Sequence, residues 1–222
     1  MTTPARRLSP GARRRQILSV ARELLDEKPL DDITVEEAAE RARVSPGLVF
    51  HYFGTQRKLR RAIAEEVARE LLVQLAPDPA LSHADQLTGA LDRFTAHVAR
   101  RPEPFLAVTR VAGANRDLRD LHAAIRGTLA DWLVEALGDA GVDSTPALTA
   151  TVSGWIAYTE EVVLGWLTEP TLTRAEVIAL CETACYNLVR AVIGDDRRWA
   201  RIAEALARTP GTAAPGSTTV TE

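Results

Sequence analysis

Two helix-start signals stand so close together that they leave the chain little choice of local fold. Thr34-Val-Glu-Glu37 is a capping box, in which the Thr hydroxyl accepts the amide three residues on while the Glu carboxylate reaches back to the Thr amide. Ser45-Pro46 is a second start, a preferred N-cap followed by a preferred first helical residue. Between them Val35, Ala38, Ala39 and Ala42 make one small apolar face suited to a closely crossing partner helix, and Ala42-Arg43-Val44 is left as a turn. The run Leu48 to Phe53 is, by composition, as compatible with a buried strand as with a helix. A strand would not start on Ser-Pro-Gly directly after so short a turn, so the run is read as helix.

The flanks complete the layout. Ser9-Pro10 opens a longer helix with Ile17, Leu18, Ala21, Leu24 and Leu25 on one face, ended by Lys28-Pro29. Gly54-Thr55 closes the short helix and caps a fourth, in which Leu59, Ile63, Ala64 and Val67 recur at helical spacing until Leu75-Ala-Pro-Asp-Pro79. A long helix followed by two short ones across a turn is a helix-turn-helix, whose second short helix enters the DNA major groove by its N-terminal end. On a helix starting at Pro46, Val49 and Phe53 lie one turn apart and face the core, leaving Pro46, Gly47, Phe50, His51 and Tyr52 outward. Small residues at the tip admit the groove, and rings further along can pack on sugars or bond phosphates.

Residues about 10–67, with VSPGLVFHYFGTQRKL at their centre, resemble the DNA-binding domain of the tetracycline-repressor (TetR) family of bacterial regulators. The resemblance implies a phosphate contact from Thr34, base-edge or methyl contacts from Pro46, Gly47 and Leu48 on the helix capped by Ser45, and backbone contacts from His51 and Tyr52. Three positions depart from the pattern. Arg43 stands where a turn glycine is common, Phe50 where a tyrosine is often found, and Gln56 where a lysine is usual, with Arg57 or Lys58 as the substitutes at hand. The resemblance further implies a homodimer, a palindromic double-stranded operator, and repression relieved by a small ligand.

Charge distribution agrees with a polyanion partner at one end. Residues 1–70 hold 14 of the 27 Lys+Arg and 11 of the 30 Asp+Glu, a balance of +3 against −6 for the remainder. Arg6, Arg7, Arg13, Arg14 and Arg15 precede the first acid, Glu23, and read equally as a DNA-contacting arm or as solvated charge. Beyond residue 67 the chain continues as helices: about 84–100, Phe105 to Val111, Leu118 to Leu137, Ala147 to Leu167, Thr173 to Ile193 and about 197–208. The expected fold class is all-α. The expected domains are a DNA-binding domain at 10–67, a helical ligand-binding and dimerisation domain at 68–208, and a disordered Gly/Pro/Thr tail at 209–222.

The helix around Gly154 to Leu167 is apolar almost all round, as a helix packed on two sides should be, and with the Thr173 to Ile193 helix it offers half of a four-helix dimer interface. An apolar pocket for a small apolar or amphipathic ligand is sought among Phe105, Trp132, Trp155, Tyr158 and Glu161, with Asn115 and His122 as further polar anchors. Each of these aromatics also reads as plain core.

Enzyme chemistry finds little footing. Glu160 and Glu161 point about 100° apart on a helix, too divergent for a carboxylate dyad. The four histidines show no metal-ligand spacing, and phosphate-loop and nucleophile-elbow motifs do not occur. Cys181 and Cys185 read as small buried residues of a reducing compartment. No cofactor, metal or membrane partner is expected, and the cytoplasm is the default location. The expectation is a ligand-responsive DNA-binding regulator, with a helical scaffold protein as the competing class.

Overall fold

The computed structural model describes residues 9–100, 102, 105 and 116–208. The arginines at 6 and 7, the segment 106–115 with Asn115, and the tail at 209–222 lie outside the described residues.

The helix starts fall where the caps place them. Helix α1 is Pro10–Glu23, with Ser9 Oγ accepting from Ala12 N at 3.3 Å. Helix α2 is Val35–Ala42, and both halves of its capping box form. Helix α3 is Pro46–Phe53, with Ser45 Oγ accepting from Leu48 N at 3.3 Å. Helix α4 is Gln56–Leu75. The end of α1 differs from the sequence reading: the α-helix stops at Glu23 and a 3₁₀ turn, Leu24–Asp26, carries the chain toward Pro29. Tightening to 3₁₀ satisfies the last carbonyls before a proline that cannot continue the helix.

Four apolar side chains, Ile17, Val35, Val49 and Ile63, one from each of α1 to α4, share one fully buried core with Ala38, Ala39 and Ala42 of α2. Methyl-sized side chains on α2 let α1 and α3 each pack closely against it, so the small-residue stripe is the shared contact face of this domain. Burial of each large aliphatic contributes about 1.5–3 kcal/mol. Phe53 closes the core from the end of α3, and the Arg14 guanidinium lies over its ring at 4.9 Å.

Beyond α4 come α5 (His83–Arg100), α6 (Arg116–Asp139), α7 (Pro146–Thr168), α8 (Arg174–Ile193) and α9 (Asp196–Arg208). No strand occurs among the described residues. Thr145 caps α7, Thr173 and Glu176 form a second capping box on α8, and Gly194, at φ 68°, ends α8 in the left-handed conformation. Helices α7 and α8 pack along their lengths, with Val152, Val163, Val177 and Cys181 buried and the Trp155 indole N–H donating to Cys181 O at 2.8 Å.

The chain divides into two compact units, and the division differs from the cut at residue 67. The first unit runs to Glu70 and includes a segment ending at Leu121; the second holds Leu71–Pro102 and everything from His122. Leu118 is buried in the helix-turn-helix core and Leu121 packs against it, which is why the first turns of α6 count with the N-terminal unit. Among the described residues no helix is long and apolar enough to cross a membrane.

Arg43 is the one non-glycine residue with positive φ among the described residues, at φ 55° and ψ 46°. Its N–H donates to Glu40 O at 3.0 Å and the next, Val44 N–H, to Ala39 O at 2.9 Å, a Schellman closure of α2. A Cβ in this region carries a penalty of about 1–2 kcal/mol. Arg43→Gly is therefore expected to stabilise the protein, by up to about 1 kcal/mol once the greater freedom of glycine in the unfolded chain is set against the relief. Urea unfolding checks it, and an unchanged or lower midpoint would show that the arginine side chain offsets its own backbone strain.

Candidate nucleic-acid interface

Helix α3 separates its two faces sharply. Val49 and Phe53 are buried; Ser45, Pro46, Gly47, Phe50 and His51 are exposed, while Leu48 and Tyr52 are half-buried. Phe50 leaves 44% of its surface in water on a helix of only two turns, which is unusual for a phenylalanine with a core so near. The His51 and Tyr52 rings meet edge to face, with centroids 5.3 Å apart, and Tyr52 also packs on the core, so this end of α3 is stiffened from within the domain.

Gly47 bears on function because the fold has no need of it. A Cβ built there meets nothing nearer than Ser45 Oγ at 4.0 Å, and its φ lies outside the left-handed region. Gly54 is the opposite case, at φ 79°, where the chain turns from α3 into α4 and glycine is the residue free of Cβ strain. Its turn is covered by the aliphatic stem and ammonium of Lys58, about 3.7 to 3.9 Å from a Cβ at that position. Arg43, on the turn before α3, and Lys58, in the first turn of α4, are exposed, and Gln56, which opens α4, is half-buried.

Thr34, half-buried, is committed to its own capping box. Its Oγ1 accepts from Glu37 N at 3.3 Å and donates to Glu37 Oε2 at 2.8 Å, while Thr34 N–H donates to the same carboxylate oxygen at 3.1 Å. The Lys28 ammonium pairs with the other oxygen. These bonds, that to Lys28 first and those to Thr34 next, hold the Glu37 carboxyl down at about 2. A phosphate reaching the start of α2 meets backbone N–H groups and a helix dipole, with the Thr34 hydroxyl proton already directed to Glu37.

The five residues expected from sequence to line a ligand pocket differ in burial. Trp155 is buried and tied to α8 through Cys181 O, whereas Tyr158 and Glu161 are exposed; Trp132 and Phe105 are half-buried. A small cavity of about 20 Å³ in the second unit is lined instead by His83, Leu87, Leu133, Leu137, Tyr186 and Leu206. His122 does meet a carboxylate, but from Glu160, at 2.8 Å, rather than from Glu161. Arg126 approaches the same carboxylate at 3.8 Å and donates to Ser153 O at 3.0 Å. The sequence reading weighed Glu160 only as half of a carboxylate dyad and did not single out Arg126, because their pairing depends on how two helices are rotated against each other, which residue spacing along either one does not encode. The Cys185 thiol, deep in α8, is pushed up to about 12 by burial, and Cys181 is raised for the same reason, in keeping with structural cysteines.

Residues 17–63 match the family model for bacterial regulatory proteins of the tetR family. Among curated proteins the chain is 30% identical over 121 residues to the HTH-type transcriptional regulator BetI of Burkholderia lata, 54% of this chain and 53% of that one. It is 25% identical over 146 residues to BetI of Escherichia coli, 66% of this chain and 53% of that one. The match thus spans about half the length of these curated relatives. A solved tetR-family transcriptional regulator from Streptomyces coelicolor superposes with a TM-score of 0.76 over 90% of both chains at 22% identity, a likeness of fold.

Two expectations follow from this site. The Glu37 carboxyl is depressed in the folded state, so its contribution to stability is complete above the ordinary value of 4.5 and disappears as pH falls toward about 2. Thermal melts across that window should show wild type and Glu37→Gln converging as pH drops, and a constant gap would break the link to the capping box. Gly47→Ala should raise stability, by up to about 1 kcal/mol from helix propensity, yet weaken binding to duplex DNA; equal DNA binding would show that no groove closes on residue 47.

Proposed function

From the match of residues 17–63 to the family model for bacterial regulatory proteins of the tetR family, we propose that this chain is a DNA-binding transcriptional regulator acting as a homodimer on a palindromic operator. The observation that carries the reading is the outward face of α3: an exposed tip of Ser45, Pro46 and Gly47, a glycine the fold does not require, and an exposed Phe50 beside His51. Such a tip suits contact with base edges, and the residues behind it suit contact with sugar and phosphate.

Dimerisation is supported by what α7 and α8 leave uncovered. Tyr158 on α7 and Leu180 and Leu188 on α8 are exposed, and a Cβ at Gly154 or Gly165 would meet open space. Apolar side chains on two paired helices suit burial against their symmetry mates in a four-helix arrangement. Two recognition helices then address half-sites one DNA turn, about 34 Å, apart. The second unit is the place for a small apolar or amphipathic effector, which would act by favouring one of two dimer states differing in recognition-helix spacing. Repression is the expected sign of regulation, and the cytoplasm, where the operator lies, the expected location.

Selection of the purified protein against random duplex DNA tests the reading directly. Enrichment of an inverted repeat, with affinity that falls as salt rises, is the expected result. A folded dimer that enriches no sequence at low salt would favour a helical interaction protein instead. On the dimer side, Leu180→Glu with Leu188→Glu should yield a folded monomer in sedimentation and lower operator affinity by about a hundredfold or more through loss of the second half-site. A double variant that stays dimeric would move the interface elsewhere.

A further inference from the structure

Arg57 stands in the first turn of α4, just past the Gly54-Thr55 turn that ends α3. Its Nε donates to Asp117 Oδ2 at 2.7 Å, across sixty positions of sequence, and the Asp117 carboxylate belongs to the first turn of α6. The two partners differ in exposure: the Arg57 side chain is 72% exposed and that of Asp117 only 18%. An ion pair so open to water contributes little stability, so stability does not account for the arrangement.

The geometry of the pair is what bears on DNA. The bond engages Nε alone, and among the described residues neither Nη group of Arg57 makes a hydrogen bond. A carboxylate that met the guanidinium end-on would occupy its fork; one that meets it at Nε fixes the plane of the group and leaves the fork of Nη donors presented to solvent. Asp117 is itself held. Leu118, the next residue, is buried in the helix-turn-helix core, and Arg61 Nη1 lies 3.8 Å from Asp117 Oδ1 while its Nε donates to Glu65. The Arg57 bond keeps the Asp117 carboxyl below the ordinary range, so it stays charged through neutrality. Gln56, the neighbouring residue, carries no charge, so the start of α4 depends on Arg57 and Lys58 for its cations, and Lys58 folds over the Gly54 turn.

We propose that Arg57 is an operator-phosphate contact and that Asp117 is its positioning residue, turning the guanidinium fork outward from the start of α4. The assignment rests on the DNA-binding reading above and adds to it a dependence on α6: the phosphate contact is complete only while the first turn of α6 is seated in the N-terminal unit. The opposite role for Asp117, a carboxylate that competes with phosphate for the same arginine, predicts the opposite sign for its removal.

The test is equilibrium binding of the full chain to its selected operator duplex as a function of KCl, for wild type, Arg57→Ala, Arg57→Lys, Asp117→Asn and the double variant Arg57→Ala with Asp117→Asn. Arg57→Ala is expected to weaken binding on the order of tenfold and to reduce the slope of log affinity against log salt by about 1.8 for the dimer, one phosphate from each of its two subunits. Arg57→Lys should restore the slope and only part of the affinity, because the charge returns without the planar fork. Asp117→Asn, nearly isosteric, should weaken binding several-fold, and the double variant should bind no worse than Arg57→Ala. Melting curves of all variants are expected to match wild type, since Arg57 is exposed. Unchanged affinity and slope in Arg57→Ala would overturn the phosphate contact; tighter binding by Asp117→Asn, or additive losses in the double variant, would overturn the positioning role. Failure of wild type to bind any duplex would overturn the DNA-binding reading together with this one, so the two failures are distinguishable.

Discussion

The close packing of α1 and of α3 on α2, over the methyl groups of Ala38, Ala39 and Ala42, governs how the N-terminal unit presents itself. With only small side chains on that face of α2, Ile17 of α1, Val49 of α3 and Ile63 of α4 share one buried cluster with it. Once Val49 and Phe53 are committed to that space, helical geometry leaves Pro46, Gly47, Phe50 and His51 no direction but outward. The DNA-facing surface is thus the complement of the core, and a larger side chain on α2 would disturb both at once.

Several features of the domain make sense as concessions to that surface. Arg43 accepts a left-handed backbone where glycine would be less strained, and it remains exposed beside the recognition helix. Gly47 occupies a position where a larger residue would fit and would favour helix. Phe50 stays in water although buried positions lie one residue away. Local stability and surface function pull in different directions at all three positions, which is the pattern expected of a binding face.

In the second unit the chemistry is more conservative. Trp155 ties α7 to α8, the two cysteines serve as buried packing, and the half-buried His122, Arg126 and Glu160 satisfy one another. The apolar residues that remain uncovered lie on the outer sides of α7 and α8, where a second copy would bury them. The plain-core reading of Trp155 fits this competition, since a helix pair that must hold itself together and also meet a partner has few side chains left over.

What the sequence determined by itself are the features set within three or four residues: the caps at Ser9, Thr34 and Ser45, the glycine turn at Gly54, and the inward pair Val49 and Phe53. Each follows from hydrogen bonds to neighbouring amides or from the helical period, and so survives without knowledge of the fold. Only the tertiary structure decided that Arg57 meets Asp117, that Glu160 rather than Glu161 faces His122, that Trp155 bonds to Cys181 O, and that the first turns of α6 belong with the N-terminal unit. Those contacts join residues from 26 to 60 positions apart, and their partners are chosen by where helices cross and how they are rotated, which the spacing of residues along one helix does not encode.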